Sequence, residues 1–135
     1  DHVPSYTEQL IVDLQSYGIT PIIVQPERNT HLINNPNDLY QLVIRGALIQ
    51  LTAQSLTGEL GETVQEFSEQ LIDANLVHFI GTVATDIPCR IFTLLDAYDV
   101  VEEKFGNDVV RYLMGNCETL LKGKQIVAEK PERVI

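Results

Sequence analysis

Three short apolar runs separated by segments of helical periodicity constrain this chain more than any other feature. Residues 20–25, 47–52 and 76–83 are rich in valine, isoleucine and leucine and are bounded by glycine or polar residues. A strand with one solvated face alternates apolar and polar side chains; a strand covered on both faces loses that alternation. Between the runs the period changes. Residues 6–17 place Leu10, Ile11 and Leu14 on one face, and Gly18 supplies a stop. Asn35-Pro36-Asn37-Asp38 offers a capping side chain, a proline at the first helical position and an acidic first turn, with Leu39, Leu42 and Val43 as the inner stripe. Residues 61–74 turn Val64, Phe67, Leu71 and Ile72 inward and their glutamates outward. Residues 90–105 carry Ile91, Leu94, Leu95, Tyr98 and Val101 at helical spacing, until Gly106-Asn107 breaks them. A short helix over 108–114 and another capped by Asn116 are expected to close the ordered part at Gly123. The tail, 125–135, is expected to fray.

Strands alternating with amphipathic helices predict an α/β fold: a parallel sheet of about three strands with right-handed crossovers and flanking helices. A closed barrel takes about eight strands. The chain is therefore expected to be part of a larger fold, or to pair its open sheet edges in a homo-oligomer. A first residue of Asp1 rather than Met fits the former.

Composition narrows the function classes. The chain has 135 residues, 44% of them hydrophobic, enough for one core and with no linker to separate two. A formal charge of −10 opposes nucleic acid and anionic lipid as partners. No apolar run approaches the ~18 residues of a membrane span, which predicts a soluble chain. Cys89 and Cys117 form neither a disulfide framework nor a CxxC pair, so a reduced, cytoplasmic setting and two small buried side chains are expected.

The C-terminal ends of parallel strands are where α/β folds place their chemistry. Here those ends are Gln25-Pro26-Glu27-Arg28-Asn29 and Thr82-Val83-Ala84-Thr85-Asp86, with Arg28 and Arg90 just beyond the apolar runs. A guanidinium fork suits bidentate phosphate binding, although Arg28 could equally pair with Glu27 or Asp86. His2, His31 and His78 have no metal-ligand spacing. His78 begins a strand at the opposite end and is expected to be packed or hydrogen-bonded, while His31 is expected in an exposed loop. Arginine stands six positions after neither cysteine, which excludes the cysteine-dependent phosphatase signature; Thr57-Gly58-Glu59-Leu60-Gly61 lacks the lysine of a P-loop. Glu62, Glu66 and Glu69 fit a solvated helix face.

Val24-Gln25-Pro26-Glu27-Arg28-Asn29 resembles the His-Pro-Glu-Arg-Asn segment of bacterial manganese-dependent protein-tyrosine phosphatases of the PHP superfamily, enzymes of capsular and exopolysaccharide synthesis. Asp1-His2-Val3-Pro4 with Glu8-Gln9-Leu10, and Asn75-Leu76-Val77-His78-Phe79-Ile80, extend the resemblance in order and spacing. It implies that residues 1–124 correspond to the C-terminal part of a distorted (β/α)7 barrel, with the His-x-His motif lying before Asp1. In that family a manganese cluster supplies a bound water that attacks phosphotyrosine. Gln25 stands at the position of a metal-binding histidine, Val83 at that of an aspartate and Thr85 at that of a second histidine. Arg28 and Arg90 match the two phosphate-contacting positions. Asp86 falls one position late.

Three readings follow. A non-catalytic domain without an intact metal or catalytic set needs no cofactor and binds phosphotyrosine peptides or a bacterial tyrosine kinase through Arg28 and Arg90. A metal-dependent phosphatase would need ligands from an N-terminal half. A remnant would have no activity.

Overall fold

A computed structural model describes residues 7–82 and 87–134, with the backbone alone for 87–92. Helix α1 (Thr7–Ser16) leads to strand β1 (Ile22–Val24), a 3-10 turn (Pro26–Arg28), and helices α2 (Thr30–Asn34) and α3 (Pro36–Ile44). Strand β2 (Leu48–Thr52) runs directly into α4 (Ala53–Thr57), and α5 (Glu62–Asp73) precedes β3 (Phe79–Gly81). Helices α6 (Ile87–Phe105) and α7 (Asn107–Leu121) follow. The strands form one parallel sheet in the order β1-β2-β3, with Ile23 beside Ile49 and Leu51 beside Ile80. Three parallel strands with flanking helices are what the alternating periodicity predicts.

Burial alternates along β2: Ile49 and Leu51 face the helix-covered core, while Leu48 and Gln50 on the other face are only half-buried. Ile49 and Leu51 are buried, and they join Leu39, Leu56, Leu71, Leu76 and Val101 in one apolar cluster. Completely burying a leucine or isoleucine side chain stabilises by about 1.5–3 kcal/mol, so β2 is the most strongly held strand. The edges differ. Val24 of β1 is 58% exposed, whereas Phe79 and Ile80 of β3 are buried beside α7.

Several expectations need correction. Leu10 is exposed and only Ile11 is buried on α1, while Leu95 points outward from α6. Asn35 does not cap α3 with its side chain; it reaches back to the His31 carbonyl at 3.0 Å. The two expected C-terminal helices are one, α7, and Asn116 lies within it, donating to the His78 carbonyl at 3.0 Å. Nor is the tail loose. Its Glu132 N–H donates to the Ala74 carbonyl at 2.8 Å, Asn75 reaches the Lys130 carbonyl, and Arg133 stacks 4.8 Å from the centre of the Tyr40 ring. These partners lie far away in the chain, beyond the reach of any local pattern.

Candidate functional site

The C-terminal end of β1 reverses sharply. Gln25 still pairs with β2, its N–H 3.1 Å from the Gln50 carbonyl, but its backbone is left-handed at φ 57 and ψ 40. For a residue with a Cβ that conformation costs roughly 1–2 kcal/mol. Pro26 then starts the 3-10 turn, where its missing N–H is no loss. The turn closes through the Arg28 N–H to the Gln25 carbonyl at 3.2 Å. Asn29 ends it and caps α2, its side-chain oxygen accepting from the Leu32 N–H at 3.1 Å.

Glu27 is the residue the sequence reading undervalued. Its side chain is completely buried, and Oε2 accepts two hydrogen bonds at 2.7 Å, from the Thr52 N–H and from the Ser55 hydroxyl. Both partners sit where β2 becomes α4. Because α4 has no side-chain cap of its own, Glu27 satisfies one of the donors that every helix start leaves open. The other oxygen, Oε1, is buried without a partner, as is Oε1 of Gln54 one residue before Ser55. The signal available in sequence was Thr52-Ala53-Gln54-Ser55 directly after a strand, with hydroxyls three apart.

Arg28 is exposed, and among the described residues it makes no ion pair. The alternative of pairing with Glu27 is thereby overturned: Glu27 turns inward to β2 and α4, leaving the guanidinium to solvent. Gln25 is half-buried at the head of the same turn. Val83, Thr85 and Asp86 lie outside the described residues. Arg90 falls in the first turn of α6, and its side chain also lies outside them.

The histidines separate as well. His31 sits on α2 rather than in a loop, with Nε2 2.6 Å from an Asp38 carboxyl oxygen. His78 lies at the other end of the sheet, completely buried and hydrogen-bonded as expected. Its Nδ1 accepts from the Ile49 N–H at 2.9 Å, which places the ring proton on Nε2, and Nε2 has no partner. Burial pushes its pKa down to about 4. Cys117 is half-buried beside Tyr98; burial raises its thiol pKa, which disfavours the nucleophilic thiolate, and the Tyr98 hydroxyl is pushed up to about 12, chiefly by burial. The α5 glutamates carry no site: Glu69 pairs with Lys104, and Glu62 and Glu66 are solvated.

Comparison with known proteins gives the chain a family. Residues 2–122 match the capsular polysaccharide synthesis family CpsB/CapC. The chain belongs to that family. It is 42% identical over 134 residues to the tyrosine-protein phosphatase YwqE of Bacillus subtilis, covering 99% of this chain and 53% of the relative. The CapC protein of Staphylococcus aureus is 35% identical over 131 residues, covering 97% of this chain and 51% of its own length. A crystal structure from the pair YwqE of Bacillus subtilis and CpsB of Streptococcus pneumoniae, described as unique metal-dependent tyrosine phosphatases, superimposes with a TM-score of 0.94 at 41% identity. The match covers 100% of this chain and 55% of that one. The chain thus spans about half the length of these CpsB/CapC relatives.

The donor set among the described residues at the end of β1 does not by itself fit a manganese cluster. Among the described residues, no group of three or more His, Cys, Asp or Glu side chains converges. At the strand end the available groups are the Gln25 amide, a weak ligand, and Glu27, whose Oε2 is already committed to two donors.

Proposed function

We propose that this chain is a phosphate-binding domain of the CpsB/CapC tyrosine phosphatase family, engaging phosphotyrosine through Arg28 and Arg90 without turning it over by itself. The observation that carries this reading is the exposed Arg28 guanidinium, free of ion pairs among the described residues, on a turn anchored by a buried carboxyl group. A planar fork presented in this way suits two phosphoryl oxygens at once. Gln25, Val83 and Thr85, at positions where the family resemblance has metal ligands, argue against turnover. The partner that fits is a phosphotyrosine peptide or a bacterial tyrosine kinase acting in capsule or exopolysaccharide synthesis. The setting proposed is cytoplasmic. Among the described residues, no helix is long and apolar enough to cross a membrane. In this reading the three-stranded sheet is part of a (β/α)7 barrel of PHP type.

Titration with a phosphotyrosine peptide tests the reading. Saturable binding that Arg28→Ala and Arg90→Ala each weaken by tenfold or more, about 1.4 kcal/mol per factor of ten, is expected. Equal binding by the variants would sink it.

A second reading is favoured by the 42% identity to a tyrosine-protein phosphatase. In it, an N-terminal half supplies the remaining ligands and the complete site is a metal-dependent phosphatase. Manganese-dependent hydrolysis of p-nitrophenyl phosphate by the chain completed with such a half, abolished in the two arginine variants, would establish this reading, and the same activity in the purified chain alone would overturn the non-catalytic one.

A further inference from the structure

We propose that Glu27 is a positioning residue for Arg28, a role that rests on the reading of Arg28 as a phosphate contact. The argument is geometric. A 3-10 turn advances about 120° per residue, so a side chain fixed inward at one position sets the direction of the next. Glu27 is fixed inward by two 2.7 Å hydrogen bonds, to the Thr52 N–H and the Ser55 hydroxyl. Arg28 must then leave the turn toward solvent at the sheet's C-terminal end. On its other side Asn29 is pinned as the cap of α2. Arg28 is therefore held between two anchored neighbours.

The turn needs that hold. Gln25 is left-handed at φ 57 and its side chain makes no capping hydrogen bond, so the local backbone favours relaxing to the extended form. Relaxation would swing Pro26, Glu27 and Arg28 away from β2. The two hydrogen bonds from the β2–α4 junction oppose it, which couples the aim of the guanidinium to a helix start 25 residues further along the chain. The combination of a strained residue at position 25, an inward carboxyl group at 27 and an outward arginine at 28 gives the motif its physical logic.

The test is a double-mutant cycle on the full chain, read by binding of O-phosphotyrosine. Glu27→Ala should weaken binding by about tenfold, since small misplacements of a binding group are costly. In an Arg28→Ala background it should cause no further loss. Ser55→Ala, which removes one hydrogen bond and spares the fold, should give a smaller loss in the same direction. Glu27→Gln should restore most affinity, because its amide oxygen can accept from both donors. A second measurement does not depend on phosphate: the backbone amide order parameter of Arg28 should fall in Ser55→Ala and Glu27→Ala while that of Ile49, at the far end of β2, stays unchanged. Equal affinity losses in both backgrounds, or an unchanged Arg28 order parameter, would overturn the proposal. Absence of O-phosphotyrosine binding by the unmodified chain would instead overturn the functional reading, and the order parameter would still decide the role of Glu27.

Discussion

The two ends of β2 are tied by the same device with different chemistry. At its C-terminal end Glu27 reaches across from the β1 turn to accept the Thr52 N–H; at its N-terminal end His78 reaches from the start of β3 to accept the Ile49 N–H. Both side chains are completely buried, and each leaves one polar atom without a partner. The difference lies in what surrounds them. Around His78 the tail and α7 close over the sheet, and Asn116 holds its carbonyl. His78 lines a cavity of about 370 Å³ whose other walls include Lys124 and, from the tail, Pro131. Beside Glu27 stands an arginine turned to solvent. A buried polar group can thus tie a strand end beneath other elements in one place and beside an exposed charge in another, and only its neighbours tell the two apart.

The largest expected break in this symmetry comes from Glu27→Leu. It leaves the Thr52 N–H and the Ser55 hydroxyl buried without partners, each costing about 1–3 kcal/mol, so a loss of about 4 kcal/mol in urea unfolding is expected together with loss of phosphate binding. His78 gives the next effect, through pH. Its folded pKa of about 4 lies below the ordinary 6.5, so between those values the unfolded chain binds more protons than the folded one. Its contribution is complete above about pH 6.5 and falls by up to about 3 kcal/mol toward pH 4. Unfolding midpoints measured from pH 7 to pH 4 should show that slope, and His78→Phe should flatten it without changing phosphotyrosine affinity. Asn116→Ala should cost about 1 kcal/mol by thermal unfolding, the value of one hydrogen bond, again with binding intact. Arg133→Ala, which removes the contact with Tyr40, should cost about 0.5 kcal/mol. If either of the last two reduced affinity for phosphotyrosine, the two ends would be coupled and the comparison would need revising.

Legibility in the sequence followed the range of the interactions. Leu39, Leu42, Val43, Phe67 and Leu71 were readable as core because burial on a helix repeats with the helical period. Leu10 and Leu95 were misread because periodicity marks a face without saying whether anything covers it. Asn116 was read as a cap from the local preference of asparagine, yet its amide is used by a carbonyl 38 residues away. Helix α4 was missed since five residues leave too little periodicity to detect. At the site, the candidate arginine was visible in Pro26-Glu27-Arg28-Asn29. The clamp was not, because its partners lie 25 and 28 residues away.

By itself the sequence determined the α/β alternation, the parallel sheet, the identity of most core residues and the kinship with a capsule-synthesis phosphatase family. Each depends on local periodicity or on a contiguous motif, both of which a linear chain carries in full. Tertiary structure alone decided that Glu27 turns inward and Arg28 outward, that the tail straps the far end of the sheet, and that His78 stays neutral there. Those outcomes depend on hydrogen bonds between distant segments and on burial, and both exist only once the strands have been brought side by side.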